Sequence, residues 1–142
     1  MERTIGMELP PSAVWKHAFD AAEAGGSEIN PALGRADAFR EIMETAGVAP
    51  DHVTVAVVVH GRAVFDVVNA SRHTTEIEGS DHPNAVLVER IIDAGGEIWV
   101  CARGAAGHNV GDDDLLPGVQ FAPSAMAAHA ELQRRGFSLN PY

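Results

Sequence analysis

Hydrophobic and polar positions follow two periods along this chain, and the changes between them mark its elements. The plainest stretch is HVTVAVVVHG, residues 52–61, a β-branched run with no polar alternation after Thr54. Such a run predicts a strand buried on both faces, as at the centre of a parallel sheet. AVWKHAF (13–19) predicts a first strand, with Lys16 and His17 leaving it partly exposed. EIWVC (97–101) and GVQFA (118–122) predict two short strands, and FSLNPY (137–142) an edge strand.

Helical periods lie between these runs. In RADAFREIMETAG (35–47), Phe39, Ile42, Met43 and Ala46 fall at i, i+3, i+4 and i+7, with Asp37 as N-cap and Gly47 as the stop. HPNAVLVERIIDAGG places Leu87, Val88, Ile91 and Ile92 on one face, between Pro83 and Gly95. PSAMAAHAELQRRG predicts a third helix, opened by Pro123 and closed by Gly136. DAAEAGGSEINPALG (20–34) and SRHTTEIEGSD (71–81) read as loops, and GRAVFDVVNA (61–70) as a short helix.

Strands alternating with helices at these intervals predict an α/β fold, a three-layer sandwich with a mostly parallel central sheet flanked by helices. Right-handed crossovers place the carboxyl ends of the strands along one edge, where open α/β sheets bind ligands. His60 and Cys101 each end a strand, so both are expected at that crevice. At 142 residues and 46% hydrophobic, the chain suits a single domain over 1–142.

Charge narrows the partners. Asp and Glu outnumber Lys and Arg by 20 to 10, and Lys16 is the only lysine. No basic footprint for nucleic acid or anionic lipid is present. The opening MERTIGMELPPSAVWKHAF lacks a basic leader with an apolar segment behind it, and no run approaches the roughly 18 apolar residues of a membrane span. The expected location is the cytoplasm. One cysteine excludes an intrachain disulfide and a thiolate zinc cluster, consistent with a reducing compartment.

That cysteine is the leading chemical candidate. Cys101 stands where a strand meets the small-residue stretch ARGAAG, so backbone N–H groups and a helix start favour its thiolate, and Arg103 adds positive charge. Against this stands the ordinary role of free cysteine as a small buried hydrophobe. His60 is a candidate acid/base or positioning group, and His108 lies nearer in sequence. Gly61 and Gly104 admit close approach of substrate or partner, and Ser124 serves best as a helix start. The seven histidines show no ligand spacing, GDDD (111–114) lacks an EF-hand pattern, and neither phosphate-binding glycine motif occurs. No metal or cofactor is therefore expected. APSAMA has no nucleophile elbow around Ser124.

Three stretches, VTVAVVVHGRAV, HPNAVLVERIIDAGGEIWVCARGAAGHNV and DDLLPGVQFAPSAMAAHAELQRRGFS, together resemble the DsrE/DsrF-like family of small sulfur-relay proteins, from about residue 35 onward. The shared features run in order: a strand ending in His-Gly, a helix after a proline, a strand ending in cysteine, LPGV before a strand, and a closing helix. The resemblance implies a compact α/β fold assembled into homotrimers or homohexamers. It also implies a cysteine, here Cys101, that accepts sulfane sulfur as a persulfide and passes it between donor and acceptor proteins by thiol exchange. The chain departs from the pattern at His108-Asn109, where members often carry Arg-Gly, and at His82, where an asparagine is usual. The alternative expectation is a non-catalytic oligomeric binding module with Cys101 buried.

Overall fold

The computed structural model describes residues 1–76 and 82–142. Its centre is a five-stranded sheet built from β1 (Trp15–Ala21), β2 (Val53–Val59), β3 (Glu97–Cys101), β4 (Gln120–Ala122) and β5 (Ser138–Leu139), in the order β4-β3-β2-β1-β5. Every pairing is parallel. β2 is central and, apart from Thr54, wholly buried, as its unbroken β-branched run predicts.

Each strand alternates sides, so its residues divide between two cores. Phe19, Val55, Val57, Val59, Ile98 and Val100 face the helices α1 (Pro31–Thr45) and α3 (Ala85–Asp93). Ala18, Ala56, Val58 and Ala122 face the opposite way, toward Ala128 and Leu132 of α5 (Ala125–Arg134). The result is an α/β/α sandwich. Its last crossover, from β4 through α5 to β5, runs back across the sheet on the face that the earlier crossovers leave free.

α1 begins about two turns before the predicted N-cap and is capped by Asn30, not Asp37. Asn30 Oδ1 accepts from the backbone N–H of Ala32 at 2.9 Å and of Leu33 at 3.4 Å, with Pro31 in the first turn. The Asn-Pro pair is itself a start signal, outweighed in the sequence by the surrounding glycines. The earlier start fixes the buried face on Ala32, Leu33, Ala36 and Met43. Ile42 is therefore 63% exposed and Ala46 lies past the last turn. Gly47 does stop the helix, at φ +97°.

Residues 71–76 are helical, in α2 (Ala70–Glu76), so the loop expected across 71–81 is corrected there; 77–81 lie outside the described residues. GRAVFD forms a short 3-10 turn, Gly61–Asp66. Asp66 is fully buried and anchors the loop after β1: its Oδ2 accepts from Gly25 N at 2.7 Å and from Asn30 Nδ2 at 2.8 Å. Asn30 N in turn donates to Asn84 Oδ1 at 2.8 Å, tying the start of α1 to that of α3.

Candidate functional site at the carboxyl edge of the sheet

The chain leaves β3 through α4 (Ala102–Gly107) toward the α1/α3 core, which Ala105 joins, but leaves β4 toward α5 on the other face. Adjacent strands whose connections diverge in this way open a crevice between their carboxyl ends. Cys101 stands at that point. It pairs in register with Ala122, and Pro123 and Ser124 follow on the far side.

Cys101 is also the N-cap of α4, and its Sγ accepts the Gly104 N–H at 3.4 Å. In the single chain Cys101 is partly exposed as a residue. Two glycines keep its surroundings open. A Cβ on Gly104 would lie 3.7 Å from Sγ and 3.6 Å from Gly61 N, so both glycines and the thiol meet at one place. Gly61 adopts φ +59°, and a Cβ there would stand 3.1 Å from Ala22 O. A side chain at that position is strained by conformation and crowded by backbone.

His60 follows Val59, the last β2 residue paired with β3, and its backbone stays extended at φ −146° and ψ 173°, so continuing the register past Val59 and Val100 sets it opposite Cys101. By strand alternation both lie on the α5 face, as does Asp20, the partner of Val58. His60 Nε2 lies 3.0 Å from each oxygen of Asp20. His129, reaching in from α5, places its own Nε2 2.8 Å from Asp20 Oδ1. Burial pushes the Asp20 carboxyl upward, but hydrogen bonds from His129 and His60 outweigh it and hold the group below its ordinary value.

Neither Asp20 nor His129 was singled out in the sequence. The available signals were an acidic residue near a strand's carboxyl end, and a histidine bordering the apolar face of Ala128 and Leu132. Among the described residues no group of three or more His, Cys, Asp or Glu side chains is arranged to hold a metal ion.

Arg103, His108 and Ser124 form no hydrogen bond with the Cys101 sulfur among the described residues. Arg103 is exposed on α4 and forms no ion pair among the described residues. His108 caps the opposite end of α4, with its ring edge-on to Phe65 at 5.2 Å and its carbonyl accepting from Arg72 at 2.8 Å. Ser124 borders the crevice, but its Oγ accepts the Ala127 N–H at 3.0 Å and caps α5. Beside the crevice, a cavity of about 150 Å³ lies between β3, β4 and α5, lined mainly by Trp99, Phe121, Pro123 and Leu132.

The architecture defines an α/β sandwich protein with a lone, partly exposed cysteine at the carboxyl edge of a parallel sheet. The chain belongs to the DsrE/DsrF-like family, whose model matches residues 16–140 and so takes in β1 as well as the motif-bearing region. That family is associated in general with sulfur relay, and its members form oligomers. Two solved structures share the fold. One is MTH1491 from Methanobacterium thermoautotrophicum, a protein of unknown function, at 18% identity and TM-score 0.64, over 89% of this chain and 97% of that one. The other is YchN from Escherichia coli, at 14% identity and TM-score 0.66, over 89% and 100%. No curated protein matches. No helix among the described residues is long and apolar enough to cross a membrane.

Proposed function

We propose that this protein is a cytoplasmic sulfur-relay protein, a single domain in which Cys101 accepts sulfane sulfur as a persulfide and hands it to a partner. The observation that carries this reading is the position of Cys101: partly exposed, at the N-cap of α4, in the crevice where the crossovers diverge. A thiolate there attacks the outer sulfur of a donor persulfide. A new S–S bond forms on Cys101, the donor's S–S bond breaks, and the donor leaves as thiolate. Exchange of this kind needs no second cysteine, and the chain has none.

Gly61 and Gly104 leave room for the bulk of a partner protein's persulfide loop, and His60 lies on the same face as the thiol. The working assembly in this reading is a homotrimer or homohexamer, in keeping with the oligomers formed across the family.

The test is intact-mass measurement of the native protein after exposure to a persulfide donor, with Cys101→Ser alongside. The expected result is a gain of one sulfur atom, reversed by reductant and absent in the variant. Native-mass measurement of the same sample reads the oligomer. A wild-type protein that gains no sulfur, and whose thiol is alkylated only after denaturation, sinks the reading.

A further inference from the structure

Two imidazoles on one carboxylate are more than a strand-end cap requires. An ionised carboxylate only accepts hydrogen bonds, so His60 and His129 must both donate through Nε2–H to Asp20. In its neutral form each ring then carries its lone pair on Nδ1, and neither Nδ1 has a hydrogen-bond partner among the described residues. The three groups come from β1, the end of β2 and α5, and the carboxylate holds them together on the face that also carries Cys101. Neighbouring strands run about 4.8 Å apart, an interval short enough for a thiol and an imidazole on one face to meet directly or through one water.

We propose that Asp20 is a positioning residue for the thiol: its carboxylate orients His60, with His129 as a second brace, so that His60 Nδ1 takes the proton of Cys101 as the sulfur becomes nucleophilic. This rests on the proposed sulfur relay only in naming the electrophile. In the transfer, the thiol proton moves to His60 Nδ1 and the Cys101 sulfur forms its bond to the donor's outer sulfur. The donor's S–S electron pair departs on its inner sulfur, which takes the proton back from the imidazolium. No oxidant or reductant enters.

Other charged and titratable groups leave this assignment intact. Lys16 lies on the same face of β1 but binds Arg135 O, and Glu131 of α5 is occupied by Arg134 and Arg135. Arg103 of α4 is exposed to solvent.

The experiment compares the wild-type protein with Asp20→Asn, Asp20→Ala and His129→Gln, each checked for native melting. The first readout is the proton NMR spectrum downfield of the amides, where imidazole N–H protons held by a carboxylate escape exchange with water. Two such signals are expected in the wild type, one in His129→Gln and none in Asp20→Ala. The second readout is the rate of Cys101 alkylation by iodoacetamide, which does not depend on sulfur relay. It is expected to fall about tenfold in Asp20→Ala and Asp20→Asn, part of the roughly 10²-fold assistance of a well-placed general base, because His60 itself is retained.

Absence of both downfield signals in the wild type overturns the proposal. So does an unchanged alkylation rate in natively folded Asp20 variants. A wild type that alkylates with Asp20-dependence yet takes no sulfur leaves this assignment standing and removes the sulfur relay instead.

Discussion

Single residues decide how open and how secure the thiol's surroundings are. Gly61 carries the conformational demand, because its φ of +59° suits glycine and its missing Cβ spares a 3.1 Å contact with Ala22 O. Gly61→Ala is expected to lower stability by about 1–2 kcal/mol, the cost of left-handed backbone in a residue with a Cβ. Urea denaturation measures this, and a loss under a few tenths of a kcal/mol speaks against it. Gly104 differs, since a Cβ there meets its neighbours only at ordinary contact distance. Its absent side chain serves access more than backbone freedom.

At the scale of elements, the caps determine which helices frame the crevice. The Asn-Pro pair at Asn30 is a local start signal that the glycines around it outweigh, whereas the tie from Asn30 to Asp66 leaves no local signal at all, because that bond joins residues 36 apart. Ser124 was legible as a helix start for the opposite reason: its acceptor role is purely local. Ser124→Ala is expected to cost about 1 kcal/mol, read as a lower midpoint in denaturant with unchanged slope. No shift in midpoint means the Oγ bond contributes nothing to holding α5. The helix over 71–76 escaped sequence reading because polar, hydroxyl-bearing residues dominate it, and its position comes from packing: His73 is fully buried and stacks on His82 at 4.3 Å.

Across the whole molecule, the half-buried His82 and the buried Asp66 each tie stability to pH. Burial pulls the His82 ring below its ordinary value of 6.5, more than its bond to Val68 O raises it. The unfolded chain therefore takes the proton first, so this contribution to stability is present above about pH 6.5 and is lost as pH falls through the folded value. Burial acts the other way on Asp66, raising it from 3.8, so its contribution is present at low pH and is lost as pH rises through the raised value. Denaturant titrations between about pH 5 and 7 are expected to show declining stability toward acid, and His82→Gln, which keeps a donor for Val68 O, is expected to flatten that limb. Parallel curves for wild type and variant contradict this origin.

By itself the sequence determined the strands and two of the helices closely, along with the family and the place of Cys101 at the end of a strand. Periodicity and stop residues act over neighbouring positions, and Val53–Val59 needs no distant information to be read as a central strand. The tertiary structure alone decided that Asp20 meets His60 across 40 residues and His129 across 109. It also decided that His108, near Cys101 in sequence, caps the far end of α4 and turns its ring edge-on to Phe65. The physical reason is that crossover handedness and strand register, which bring those side chains to one edge and one face, belong to the assembled sheet and leave no local pattern in the chain.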